Sequence, residues 1–522
     1  MMKEVKKLFL CLGGALLCCL STASGSYALQ FEFGDNLTLD WDTTMRYTVA
    51  SRLLDPDGQL IANPNGDDGN RNFDQYSLVK NRFDVITEGD LNFGEVGSFY
   101  SLGVFARARA WYDFAYNQNN DHNSPLTNNS VSVPFDEFTN DTEKWHGKKA
   151  EMLDYFLYSS FDIAGRSASV RLGQQAVNWG ETLFLVGGVM SSQGPIDATG
   201  FNQPGAELKE LFLPVEQVTA QVDLTDTLSI EGYYQWEWEP HRLDAAGSYF
   251  STSDILDEGG ESFILVPGAF AAQRVVDEDA NDSGQWGVAL RYLAENLFST
   301  EFGLYYINYH DQLPMVVAGD FVDLTGDGIP DGPSTYHLKY AENIHLLAAS
   351  FGTVIGDTNV SGEVAYRENV PVQVVGALPT YKEAEVIHYS LSCIHLFGPN
   401  PFTDKLNLSA EVGADQVIGM DKDELFSDKF AWGFSFTLKP TWQSVLPSLD
   451  ISVPISLAMG IDGDSALGAS FVEDKHKMGI TFDFEYRTKY MFQVGYVNFF
   501  GGNDSNVQND RDYISMNFKY SF

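Results

Sequence analysis

Hydrophobic and polar residues alternate along most of this chain with a period of two. The stretch "KMGITFDFEYR" sets Met478, Ile480, Phe482, Phe484 and Tyr486 against Gly479, Thr481, Asp483, Glu485 and Arg487. "LSIEGYYQWEWE" sets Leu228, Ile230, Tyr234, Trp236 and Trp238 against Ser229, Glu231, Gln235, Glu237 and Glu239. "FAWGFSFTLK", "LDISVPISL" and the final "DYISMNFKYSF" follow the same rule. A period of two gives each strand one apolar and one polar face. A β-sandwich also alternates. Many strands of about ten residues, with charges in mid-strand on one face and aromatic residues at the ends, are the pattern of a transmembrane barrel.

Strands are predicted near 36–50, 80–93, 97–116, 150–162, 167–177, 214–224, 227–238, 283–292 and 299–309. Further strands are predicted near 340–352, 357–367, 385–397, 405–414, 429–439, 449–459, 477–487, 490–499 and 511–522. The connections alternate in length. Long ones include 117–149, 178–213, 239–282, 310–339 and 368–384, and short ones such as "AGRS", "TD" and "VIGD" lie between them. Short periplasmic turns and long extracellular loops are the rule for outer-membrane barrels. The predicted fold is therefore all-β: an antiparallel, up-and-down transmembrane barrel of about 18 strands, with 16–18 as the expected range. A bilayer offers no water to backbone groups, so the sheet must close on itself.

The first residues differ in kind. Lys3, Lys6 and Lys7 precede "LFLCLGGALLCCL", which is too short to span a bilayer, and the small residues "STASGSYA" follow. This order predicts a signal peptide over residues 1–28 and a single barrel domain over 29–522. Cys11, Cys18 and Cys19 then leave with the leader. Cys393 remains alone, so closure of the sheet must replace disulfides as the stabilising device. The charge balance is 32 basic against 72 acidic residues, a net of −40. It excludes a nucleic-acid partner and a polybasic lipid-binding surface.

Three places could carry chemistry. On the strand near 97–116, Tyr100, Leu102, Val104, Tyr112 and Phe114 should face lipid, and Arg107, Arg109, Trp111 and Asp113 should face the lumen. Arg46, Arg171 and Arg291 fall on inner faces as well. Such charges either order a solute by field and size or form a lattice that stiffens the barrel. The loop "DLTGDGIPDG" places Asp323, Thr325, Asp327 and Asp331 around Gly328 at the spacing of a calcium loop, or makes a plain acidic turn. It resembles thrombospondin-type and dockerin calcium loops, but has Thr325 at the third position and occurs once. No other cofactor is expected. The 178–213 segment, with Trp179, Glu181, Asp197, Pro204 and Gly205, could fold inward as a constriction or cap the barrel outside.

"RLGQQAVNWGET", "GPIDATGFNQPGAELKELFLP", "YYQWEWEPHRLDAAGSYFSTSDI", "NRFDVITEGDLNFG" and "ARARAWYDFAY" resemble the proteobacterial outer-membrane family catalogued as domain of unknown function 1302. The resemblance covers nearly the whole mature chain. It implies an outer-membrane β-barrel in a Gram-negative bacterium. It also points toward lipoprotein or exporter partners and toward steroid- or hydrocarbon-like solutes.

The expected function is an outer-membrane channel or transporter for hydrophobic or lipid-like solutes, without a catalytic step. The alternative is a structural or accessory component of a lipid or efflux trafficking system, with lipopolysaccharide bridged to its acidic loops. A lipid hydrolase is the third reading, but no G-x-S-x-G stretch accompanies His345, His388 and His395. By parity, His388 faces in and His395 faces lipid. Phe518, Tyr520 and Phe522 at the chain end resemble the signal read by the barrel-assembly machinery.

Overall fold

The computed structural model describes residues 29–34, 36–256, 258–323, 327–328, 332–468, 471–502 and 506–522. The predicted leader, residues 1–28, lies outside them. In chain order the strands are β1 (Leu29–Phe33), β2 (Leu37–Arg52), β3 (Leu78–Asn92), β4 (Phe99–Asp113), β5 (Lys148–Ile163), β6 (Arg166–Gln175), β7 (Val215–Asp223) and β8 (Leu228–Gln235). Next come β9 (Ser262–Val266), β10 (Phe270–Arg274), β11 (Gln285–Ala294), β12 (Thr300–Tyr309), β13 (Met315–Val322), β14 (Gly332–Lys339), β15 (Ile344–Ile355) and β16 (Thr358–Val374). The last are β17 (Thr380–Phe397), β18 (Lys405–Ile418), β19 (Phe430–Leu446), β20 (Leu449–Ser452), β21 (Ile455–Asp462), β22 (His476–Tyr486), β23 (Tyr490–Phe500) and β24 (Tyr513–Ser521).

Antiparallel pairing runs from β2 to β8, on to β11, β12 and β15, and then through β24. β20 and β21 act as one strand interrupted at Val453–Pro454, where proline has no N–H for the ladder. The sheet closes where β24 pairs with β2, Tyr513 opposite Arg52 and Ser521 opposite Thr44. The result is an 18-stranded closed barrel. Phe522 continues the seam, exchanging two backbone hydrogen bonds with Thr43 at 2.8 and 2.9 Å. β1 then pairs with the start of β2.

Side-chain direction follows the predicted alternation. Tyr100, Tyr112 and Phe114 are exposed on the outer wall, and Arg109, Trp111 and Asp113 are buried inside it. On β24, Ser515 and Asn517 point inward and are buried, and Ile514 is exposed outside. On β17, His388 is fully buried within, whereas the parity of His395 sets it outside beside Phe397, ring centroids 4.1 Å apart. Outward apolar residues on strand after strand make this a transmembrane barrel.

Three features depart from the sequence expectation. The long connections after β8 and β12 are not plain loops, because β9, β10, β13 and β14 form a separate four-stranded sheet. Ala272, Val316, Tyr336 and Leu338 are its core. The expected loop 368–384 shrinks to 375–379, because β16 and β17 run on past a bulge between Arg367 and Val370. Trp238 does not face lipid. β8 ends at Gln235, the chain turns inward before Pro240, and Trp238 packs edge-on against Tyr340 at 4.6 Å.

Candidate functional site

The connection from β6 to β7, residues 176–214, enters the barrel and crosses it. It fixes itself to opposite walls through two arms of different chemistry.

The first arm, residues 179–193, lies against β8, β12 and β15–β18. Trp179 is 2 % exposed and packs on Tyr233 and Tyr305, with centroids 5.0 and 6.0 Å away. Glu363 on β16 accepts the backbone N–H of Glu181 at 3.0 Å and of Val189 at 2.6 Å. Glu411 on β18 accepts three, from Leu183, Phe184 and Leu185, the last two at 2.6 and 2.9 Å. Arg367 donates to the Gly188 carbonyl at 2.7 Å and to Tyr309 at 3.1 Å. Gly187 has φ +124° and passes so close to His388 that a Cβ there would sit 2.8 Å from its Nδ1, so both backbone and space require glycine.

The second arm, residues 196–211, lies against β2–β5, β22 and β24. Arg46 forms a fork on Glu210, at 2.8 and 2.9 Å. Arg109 donates to Asp197 at 2.7 Å and to Glu151 at 2.6 Å. Arg242, from the connection after β8, meets the same two carboxylates. Lys149 reaches Glu151 at 2.8 Å. Lys80 donates to Gln203 at 2.6 Å, and Lys519 pairs with Glu207. "AELKELFLP" forms a 3-10 turn over Leu208–Glu210.

The predicted lumen residues divide. Arg109 and Trp179 hold the inserted loop, one at each arm. Glu181 belongs to the first arm, near Gly352 on the wall. Arg107 pairs with Asp154 on β5 instead, and Asp113 accepts the N–H groups of Asn81 and Ala115, both at 2.9 Å. Arg171 sits over the Phe156 ring at 5.6 Å. Arg291 pairs with Glu301 at 2.9 Å and borders a polar recess of ≈ 420 Å³ at the short-turn end. Trp179 and Arg107 therefore lie on different walls. Glu151, Arg242, Glu363, Arg367 and Glu411 were not singled out from the sequence, although inward parity was available for the strand residues among them.

Above the first arm, at the long-loop end, lies a cavity of ≈ 510 Å³. Leu313, Met315, Val370, Tyr381 and Phe471 give it a largely apolar lining, and Asp311, His241, Arg367 and Asp464 are among its polar points. Burial pushes Asp311 up to about 6 and His241 down to about 4. His241 is therefore neutral, and its Nδ1 accepts the Ile196 N–H at 3.0 Å.

Asp415 bridges His388 and Ser465. It meets His388 Nδ1 at 2.7 Å and accepts from Ser465 Oγ at 2.5 Å. Here the hydroxyl is paired with the carboxylate, whereas nucleophilic catalysis needs it on the imidazole. In the candidate calcium loop, Asp323 accepts the backbone N–H groups of Asp327 and Gly328. Thr325 and Asp331 lie outside the described residues.

Solved structures similar to this chain include OccAB4 of Acinetobacter baumannii, at 11 % identity over 95 % of this chain and all of that one, TM-score 0.44. A BenF-like porin from Pseudomonas fluorescens Pf-5 aligns at 10 % identity over 93 % of this chain and 98 % of its own, TM-score 0.43. Pseudomonas aeruginosa OccK2, solved with glucuronate, aligns at 9 % over 93 % and 97 %, TM-score 0.40. No curated protein sequence matches. A family model matches this chain from residue 10 to residue 522, and the chain belongs to that family, DUF1302, described as a protein of unknown function.

Proposed function

We propose that this protein is an outer-membrane channel for hydrophobic or lipid-like solutes, closed by the 176–214 loop in the conformation described. The observation that carries the reading is the largely apolar cavity of ≈ 510 Å³ set directly above that loop. Its size falls in the range of small-molecule sites, which are mostly apolar with a few placed polar groups. A solute would enter from the long-loop end, with its polar group met by Arg367 or Asp311. It would pass when the first arm leaves Glu363 and Glu411. Placement in the outer membrane rests on the barrel's apolar wall and on family membership. Lipopolysaccharide and lipid would then surround the barrel.

The test is transport by the purified chain in liposomes. Uptake of a fluorescent sterol-sized probe should exceed that of a sugar of equal mass, and Met315→Asp in the cavity wall should depress it several-fold. Planar bilayers should show rare openings for the wild type. Absence of uptake for every lipophilic probe, even after the first arm is released by Glu363→Gln/Glu411→Gln, would overturn the channel. Crosslinking to a periplasmic lipoprotein or exporter without transport would favour the accessory role.

A further inference from the structure

Outside the lumen, at the long-loop end, three aspartates from two connections come together away from water. Asp67 and Asp68 lie between β2 and β3, and Asp254 lies between β8 and β11. Asp67 and Asp254 are fully buried and Asp68 is 5 % exposed. One ligand oxygen from each lies within 4.8 Å of the other two. Two oxygens bound to one calcium ion at about 2.4 Å can be at most about 4.8 Å apart, so the spacing fits a shared ion.

The hydrogen bonds around the cluster leave it short of positive charge. Asp67 receives Arg71 and Thr127, and Asp68 receives the Asn129 N–H at 3.1 Å. His122 Nδ1 accepts the Ser124 N–H at 3.1 Å, so its Nε2 carries the proton and donates to Asp68 at 3.0 Å as a neutral ring. Asp254 receives the Asp68 N–H at 3.1 Å. Arg511 is close by, but it donates to the carbonyls of Gly69, Tyr249 and Ser251 and lies 3.3 Å from Asp510. Three carboxylates thus face one contacting guanidinium. Two of them, Asp67 and Asp254, each keep a buried oxygen with no donor. Asn129, fixed to Asp68 by its own N–H, also has a buried side-chain oxygen with no donor. Native interiors seldom leave such oxygens unpaired without an ion or water.

We propose that Asp67, Asp68 and Asp254 bind one calcium ion. The donor set is all oxygen and drawn from irregular loops, which suits a hard cation of flexible coordination over zinc or magnesium. Asn129, bonded to Asp68 through its backbone N–H, carries a buried neutral oxygen that has no donor. Because Asn129 and His122 belong to the connection after β4, the ion would tie three external connections into one unit. This inference does not depend on what the barrel transports.

The experiment is calcium titration of the full chain in detergent, stripped with EDTA and followed by calorimetry and thermal unfolding. The wild type should take up one equivalent with a dissociation constant of about 1 mM or tighter, as extracellular calcium modules do. Its unfolding midpoint should rise with calcium. Asp254→Asn should weaken binding about tenfold or more, since calcium affinity follows the number of charged ligands. The Asp323→Asn/Asp327→Asn variant should bind like wild type, which separates this site from the 323–331 loop. No uptake by the wild type at about 10 mM calcium, far above that range, would overturn the proposal. So would binding unchanged in Asp254→Asn, or binding lost in Asp323→Asn/Asp327→Asn. Heat-modifiable gel mobility shows that each variant is folded, and the wild-type titration stands alone if Asp254→Asn is not.

Discussion

The two arms of the inserted loop reach opposite walls by opposite means. The second arm brings its own carboxylates, Asp197 and Glu210, to arginines that wait on the strands. The first arm brings backbone N–H groups to glutamates that wait on the strands. Charge pairs in a buried setting tolerate the loss of one partner poorly, because the other charge is left alone. A carboxylate that gathers several neutral donors is more forgiving, since an amide in its place still offers one oxygen. The second arm is therefore expected to act as the fixed foot, and the first arm as the part that yields first.

The sharpest way to break that contrast is Asp197→Asn. Arg109, Arg242 and Lys149 would then share Glu151 alone, a loss of about 3–5 kcal/mol for the seated second arm. Hydrogen exchange over 196–211 should accelerate and openings in planar bilayers should become frequent. Wild-type conductance and exchange would end the assignment of a fixed foot. Glu411→Gln comes next, with about 1–3 kcal/mol lost. It should speed exchange at Leu183–Leu185 and leave 196–211 protected; equal effects on both arms would erase the difference between them.

Acid should act more gently, at the start of the second arm. The depressed His241 keeps its contact with Ile196 intact above about 6.5, where both seated and released rings are neutral. As the pH falls from 6.5 toward 4, the released ring takes up a proton that the seated ring refuses, and the contact weakens. Exchange at Ile196 should rise over that window in wild type and be flat in His241→Gln. The smallest effect is expected far from both arms. Phe522→Ala removes a ring stacked 5.2 Å from Tyr520 but leaves the backbone bonds to Thr43, so about 0.5–1.5 kcal/mol is at stake. The unfolding midpoint of the assembled barrel should fall slightly, with no change in exchange at either arm.

The barrel was legible because alternation reports on water and lipid directly. Each of the eighteen strands lies where periodicity puts it, and Arg107, Arg109, Trp111 and Asp113 point as parity requires. The second arm was half legible, since Arg109 and Asp197 are both charged and both conspicuous. The first arm was hidden. Glu363 and Glu411 bind backbone groups, which have no letter in a sequence, and Arg367 holds a carbonyl. The four-stranded outer sheet was missed for a related reason. Its strands are as short as five residues, and "FAAQR" and "GPSTYHLK" carry too little alternation to stand out from a loop.

The crossing segment also has a mechanical side. A hoop of eighteen strands is easily flattened, because neighbouring strands can hinge about their hydrogen-bonded edges. A strut pinned at Glu411 on one side and at Arg46 on the other sets the hoop's width. On the proposed channel reading, any event that unpins one end opens the passage and softens the ring together. On that reading, lateral pressure from the surrounding lipid and the traffic of solute through the centre act on the same latch.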